Sequence, residues 1–225
     1  MVMICHPYEF IFLKTRKTAG TSIEMYLEPL CTPDGHEVVE KTHTMISKRG
    51  IVGRRLIPPA DWTEDDRKWY NHMPARNIAA LTGEDMFYGY RKVISVRNPF
   101  DRMVSAFAWA KSDKAKDLDF SQIKRRFRKF MQHKGKKTDR KIVTYQSKHV
   151  ADFAVRYEHL HDDLKMLKTK LGLPGDLPPL PTTKSTSSMR KSYPVADYYD
   201  PDTIDIVHKD MAWVFENYDY PDKPT

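Results

Sequence analysis

The segment Phe10-Ile11-Phe12-Leu13-Lys14-Thr15-Arg16-Lys17-Thr18-Ala19-Gly20-Thr21-Ser22-Ile23-Glu24 runs an apolar stretch into a basic, hydroxyl-rich turn that restarts as a helix. A strand feeding a helix through a short loop aims several backbone N–H groups, and the positive end of the helix dipole, at one spot. An anion is the natural occupant of that spot. Gly20 lets the backbone approach it closely, Thr21 and Ser22 add hydroxyl donors, and Lys17 supplies a mobile positive charge. The nucleotide-hydrolase pattern G-x-x-x-x-G-K-[ST] requires a lysine directly after its last glycine. Here Thr21 follows Gly20, and the lysine stands before the glycine. On this segment alone, an ordinary strand–turn–helix with a solvated lysine stays open as the alternative.

The runs Phe10 to Leu13, Val93 to Val96 and Phe153 to Val155 read as short buried strands, each followed by helical periodicity. Strands alternating with helices predict an α/β fold, with a P-loop-like central parallel β-sheet flanked by helices on both faces. At 225 residues and 40% apolar content the chain suits a single domain over 1–225. Leu160, Leu164, Leu167 and Leu171 predict a helix over 160–171 stopped by Gly172. Asp200 and Pro201 start another, whose face is Ile204, Val207, Met211, Val214 and Phe215. A third, Phe120 to Met131, turns Phe120, Ile123, Phe127, Phe130 and Met131 inward and Lys124, Arg125, Arg126, Arg128 and Lys129 outward. Residues 31–62, 135–140 and 174–193 read as long loops.

A net charge of +8 favours anionic ligands: a nucleotide, a sulfated or phosphorylated acceptor, nucleic acid or an acidic membrane surface. There is neither a signal-peptide pattern nor a run of about eighteen apolar residues, which predicts a soluble cytoplasmic protein. Cys5 and Cys31 have neither metal-site spacing nor a disulfide framework, in keeping with a reducing compartment.

A second motif is Val93-Ile94-Ser95-Val96-Arg97-Asn98-Pro99-Phe100-Asp101-Arg102-Met103-Val104-Ser105. Arg97 ends a strand, where open α/β sheets bind ligands, and Ser105 lies about two helical turns beyond Pro99. A guanidinium fork with a hydroxyl suits a phosphate monoester. Asp101 and Arg102 can instead pair locally, and Arg102 reads as structural.

Lys17-Thr18-Ala19-Gly20-Thr21-Ser22 together with Arg97 to Ser105 resembles the sulfotransferase family, most of all its carbohydrate-type branch of Golgi glycan sulfotransferases and shorter bacterial relatives. The resemblance continues through His72-Met73-Pro74-Ala75, Arg156-Tyr157-Glu158-His159-Leu160 and Tyr198-Tyr199-Asp200-Pro201, and covers about Phe10 to Tyr220. Residues 31–62 and 111–141 match nothing in it. It implies 3′-phosphoadenosine 5′-phosphosulfate (PAPS) as donor and a hydroxyl, on a carbohydrate, as acceptor, with no metal. The first motif, Lys17, Thr18, Ala19, Gly20, Thr21 and Ser22, would hold the 5′-phosphosulfate. Arg97 and Ser105, with Arg190 from a polar loop over 182–193, would hold the 3′-phosphate.

Sulfuryl transfer to an alcohol needs a base, in-line placement, and positive charge for the oxygen that leaves. Lys17 suits the leaving group. His72 is chosen as base, since imidazole titrates near neutrality and Pro74 sets it just before a helix start; its place before the Arg97 motif also resembles that of the family's histidine. His43 and Glu24 are the rivals. Arg156 and Glu158 read as a structural pair outside the site. Gly135-Lys136-Lys137 with Arg140 and Lys141 is either a solvated charge run or the rim of an acceptor cleft. Two other classes are weighed. A P-loop phosphotransferase would have a lysine after Gly20 and an acidic magnesium site. A nucleic-acid binder would interleave aromatics with exposed basic residues, whereas Phe120, Phe127 and Phe130 fall on the apolar side of their helix.

Overall fold

Short apolar runs bounded by polar residues make strands, because four residues cannot close the turns of a stable helix yet can bury both faces of a sheet. Phe10–Leu13 is such a run, and the computed structural model describes it and its neighbours over residues 2–40, 44–53, 68–111, 118–133, 138–175, 177–181, 183 and 193–225. In chain order the elements are β1 (Val2–Cys5), β2 (Phe10–Leu13), α1 (Gly20–Leu27), β3 (Met45–Ser47), β4 (Gly50–Gly53), α2 (Ala75–Thr82) and α3 (Glu84–Gly89). They continue with β5 (Arg91–Val96), α4 (Pro99–Lys111), α5 (Phe120–Gln132), α6 (Arg140–Val143), β6 (Thr144–Tyr145), β7 (Lys148–His149), β8 (Phe153–Arg156), α7 (Leu160–Leu171), α8 (Pro201–Asp210) and α9 (Ala212–Phe215). The chain falls into two compact units, residues 1–96 with 141–183 and residues 97–140 with 184–225.

The first unit holds a six-stranded sheet in the order β3-β4-β1-β2-β5-β8. Strands β2, β5 and β8 run parallel, as predicted. The remainder differs: β1 pairs antiparallel with both β2 and β4, and β3 pairs antiparallel with β4, so the sheet is mixed. The α/β class holds. Within residues 31–62, read as one long loop, the β3–β4 hairpin is therefore regular structure. Gly50 is required there, because a Cβ would collide with the carbonyl oxygen of Ile4 on β1.

Alternation along the strands decides what each face buries. Met3, Cys5, Phe10, Phe12, Val52, Val93 and Val155 share one face and pack with Ile23 and Leu27 of α1 and Leu164 and Leu167 of α7. Ile4, Ile11, Leu13 and Ile94 alternate to the opposite face and are equally buried. Each such side chain contributes about 1.5–3 kcal/mol on leaving water. Helix α7 begins and ends as its leucine spacing predicts, with Gly172 in the left-handed conformation (φ 62°) as its stop. Cys5 and Cys31 are buried free thiols, and the Cys5 thiol donates to the Leu30 carbonyl at 3.3 Å.

The second unit is helical. Asp119 caps α5 in a reciprocal box with Gln122, and Ile123, Phe127 and Met131 are buried while Arg125, Arg126, Arg128 and Lys129 stay exposed. Phe127 anchors the core, its ring lying 5.4 Å from that of Phe107 and 5.0 Å from that of Tyr199. Asp200 caps α8 through Thr203, with Pro201 in its first turn. The helix predicted to run to Phe215 is interrupted at Met211, which turns α9 so that the Trp213 indole donates to the Thr138 carbonyl at 2.8 Å. Among the described residues, no helix is long and apolar enough to cross a membrane.

Arg102 is structural and finds its partner outside its own helix. Its guanidinium donates to Asp139 at 2.6 Å, and the two side chains are 3% and 0% exposed. Asp101 pairs with Arg97, one turn away. A buried charge left alone costs about 3–5 kcal/mol. Asp139→Ala is therefore expected to lower unfolding free energy by that amount, read as a fall in the urea midpoint at unchanged m-value.

Candidate active site

Strand β2 ends at Leu13 and α1 begins at Gly20, so residues 14–19 form a loop directly before a helix N-terminus. Lys17 (φ 65°) and Ala19 (φ 57°) both adopt the left-handed conformation, which costs an L-residue about 1–2 kcal/mol. Such residues curl the main chain into the concavities that gather N–H groups around anions. Gly20, by contrast, starts the helix in ordinary geometry. Its need for no side chain has another cause: a Cβ would sit 2.8 Å from Cγ of Lys14, whose stem lies against it.

Two polar clusters hold the loop. In the first, Thr15 Oγ1 donates to the Ser95 carbonyl of β5, and Thr18 Oγ1 lies 2.7 Å from Ser95 Oγ and 3.0 Å from Thr15 Oγ1. The Thr18 hydroxyl is thus engaged inside the protein, and what it can offer an outside anion is its N–H. In the second, the Lys14 ammonium donates to Glu24 Oε2 at 2.6 Å and to Thr21 Oγ1 at 3.1 Å. Ser95 and Lys14 were not singled out in the sequence. A lone serine in an apolar strand was the available signal for Ser95.

Ser22 Oγ lies 3.1 Å from Thr183 Oγ1. The start of the 182–193 loop therefore reaches the N-terminal turn of α1. Residues 184–192 of that loop, Arg190 and Lys191 included, lie outside the described residues, as do His43 and Gly135-Lys136-Lys137.

His72 stands just before α2, whose N-cap is Pro74, as its sequence context predicts. It too has a left-handed backbone (φ 57°), which turns its ring toward the loop. His72 Nδ1 lies 3.0 Å from the carbonyl oxygen of Lys14. A carbonyl only accepts, so the contact assigns the ring hydrogen to Nδ1 and leaves the lone pair on Nε2. Burial, reinforced by the positive charges of Arg16 and Lys14, pushes the His72 pKa down to about 3. The imidazole is neutral at physiological pH. The rival Glu24 is fully buried and bonded to Lys14.

In the second unit, Arg97 follows β5 and is buried, its Nε donating to Asp101 Oδ2 at 2.5 Å. Ser105 is buried on α4 one turn beyond Asp101, so Asp101 and Ser105 share a helix face. Arg156 pairs with Asp163, through Nη2 to Oδ1 at 2.7 Å and Nε to Oδ2 at 2.9 Å. That ties the end of β8 to the first turn of α7 and leaves Arg156 a structural residue.

A family model described as "Sulfotransferase family" matches residues 1–221, nearly the whole chain. The chain belongs to the sulfotransferase family. Its members are PAPS-dependent, and this sulfotransferase is accordingly an enzyme of sulfuryl transfer; neither the phosphotransferase nor the nucleic-acid-binding reading is favoured. No curated protein and no solved structure matches it.

The depressed His72 pKa has a thermodynamic sign. As pH falls from about 6.5 toward 3, the unfolded chain takes up a proton that the folded sulfotransferase refuses, so stability declines through that window. In the free enzyme, imidazole NMR resonances of His72 are expected to remain those of the neutral ring below pH 5, and His72→Gln to flatten the acid side of the stability profile. A His72 midpoint near 6.5 would contradict the burial described.

Proposed function

We propose that this sulfotransferase moves the sulfuryl group of PAPS to a carbohydrate hydroxyl by in-line displacement, with His72 as general base. PAPS supplies an activated sulfuryl group, whose departure leaves adenosine 3′,5′-bisphosphate. The observation that carries the reading is the contact between His72 Nδ1 and the Lys14 carbonyl at the root of the loop. It joins a neutral imidazole, its Nε2 lone pair available for a proton, to a loop built for anions.

In this reading, main-chain N–H groups of Thr18, Ala19 and Gly20 and hydroxyls of Thr21 and Ser22 bind the 5′-phosphosulfate. Lys17, half-exposed on the loop, neutralises charge on the leaving oxygen. Arg97, Ser105 and Arg190 take the 3′-phosphate. The pairing of Arg97 with Asp101 supports this, because it fixes the plane of the guanidinium at the end of β5, where open α/β sheets bind ligands. The reading assigns no metal, as the resemblance implies. It treats the chain as one catalytic domain, in keeping with a match that runs across both units. The carbohydrate acceptor rests on the likeness to the carbohydrate-type branch, and the net charge of +8 suits an anionic glycan.

Adenosine 3′,5′-bisphosphate is expected to raise the melting temperature, and ATP with magnesium to raise it less. Equal or greater stabilisation by ATP would overturn the donor assignment. With labelled PAPS and a panel of glycan acceptors, His72→Ala is expected to lower kcat by about 10²–10⁴-fold in folded protein. Near wild-type turnover would move the base elsewhere.

Lys17→Ala and Arg97→Ala separate the two ends of the donor. The first is expected to lower kcat mainly, and the second to weaken adenosine 3′,5′-bisphosphate binding mainly. Unchanged affinity in Arg97→Ala, measured by calorimetry, would remove Arg97 from the site.

A further inference from the structure

Lys14 occupies a place that a physical reading would give to an apolar residue. It follows an apolar strand, its side chain is only 10% exposed, and its carboxylate partner Glu24 is 1% exposed. Taking two such charges out of water costs several kcal/mol each, and a well-packed apolar pair of similar volume is often as stable or more so. Stability alone therefore gives no reason for this pair. Its geometry gives one: the stem of Lys14 runs against Gly20, and its ammonium ends on Thr21 Oγ1 (3.1 Å) and Glu24 Oε2 (2.6 Å), one turn of α1 further on. Glu24 holds the ammonium, and the ammonium holds Thr21.

The direction of the second contact matters. An ammonium has three donors and no acceptor, so Thr21 Oγ1 accepts from Lys14 and its own hydrogen is directed away from the lysine. The contact fixes the Thr21 side chain at the first turn of α1. The main chain of the same residue does a second job, since the Lys14 carbonyl fixes the His72 tautomer. One residue thus meets both the loop and the imidazole, through separate atoms.

We propose that Lys14 is a positioning residue: clamped by Glu24, its buried ammonium sets Thr21 and the first turn of α1 in the arrangement that receives the sulfuryl donor's 5′ end. The inference rests on the donor reading of Lys17–Ser22. Neither Lys14 nor Glu24 touches donor or acceptor in this assignment.

The test is a cycle in which Glu24→Gln is kept throughout, so that no variant leaves a buried carboxylate unpaired. Lys14→Met/Glu24→Gln is expected to melt cooperatively close to wild type, yet to bind adenosine 3′,5′-bisphosphate at least about tenfold more weakly, the scale of a charge-assisted hydrogen bond. Thr21→Val/Glu24→Gln is expected to lose a similar factor, and the triple variant no more than about twofold beyond either, because Lys14 acts through Thr21. In turnover assays, the Lys14 variant is expected to raise the KM for PAPS about tenfold with kcat at saturating PAPS held within about threefold, since the residue 14 carbonyl still anchors His72. A merely structural lysine would move melting temperature and leave this KM-against-kcat split absent.

Wild-type affinity for adenosine 3′,5′-bisphosphate in Lys14→Met/Glu24→Gln would overturn the proposal, and so would losses that multiply in the triple variant. Should the methionine variant fail to fold, Lys14→Gln/Glu24→Gln keeps a polar contact without charge and is held to the same tenfold expectation. Absence of binding by the wild-type enzyme would instead sink the donor reading, and the positioning role would fall with it.

Discussion

Ser95 sits in a strand that is otherwise apolar after its first two residues, and both its hydroxyl and its carbonyl go to the loop that leaves β2. Hydrogen bonds between buried hydroxyls are individually modest, about 0.5–1.5 kcal/mol, but leaving one unmade is costly. Thr15, Thr18 and Ser95 satisfy one another in a closed set, and that set ties the loop to the neighbouring parallel strand. The left-handed residues Lys17 and Ala19 lie on the stretch so anchored. Their conformational cost is borne by a loop pinned below them. Without the anchor the same residues would relax toward an ordinary, unstrained turn.

The local environment also gives positive charge two uses. Lys14 and Arg16 belong to a loop suited to anions, and both add to the burial that depresses the His72 pKa. A histidine beside an anion site would ordinarily be drawn toward its charged form. Here the cations of the protein act against that, and the ring stays neutral.

What the sequence made legible were features carried by local pattern. Strands β2, β5 and β8 stood out as bounded apolar runs, α5 as an amphipathic face, α7 by its leucines and Gly172 stop, and α8 by its Asp200 start, because burial and hydrogen bonding there follow from neighbours along the chain. Strand β1 and the β3–β4 hairpin did not stand out. They are three or four residues long, flanked by ambiguous turns, and are strands only because they pair with each other and with β2. The site shows the same division. The loop and the His72 position were readable from motif and helix start, whereas the Ser95 contacts join residues 80 apart in the chain. Ion pairs were the least readable. Arg102 pairs with Asp139 and Arg156 with Asp163, partners that adjacency in the sequence does not single out. Charge alone does not select among acidic partners; the fold does, by deciding which of them shares a dry space.

The pairing of β2 with β5 sets Phe12 opposite Val93 and Leu13 opposite Ile94. Side chains alternate along a strand, so a slip of one residue would exchange the two faces of β5 and carry Ser95 away from Thr15 and Thr18. Apolar residues line both faces, and a misaligned sheet would still find oil to bury. The threonine–serine set is what tells the two alignments apart. It acts as a proofreading mark on strand alignment: a chain that pairs wrongly forfeits the anchored loop between β2 and α1 in the same event, so correct register and the shape of that loop arrive together.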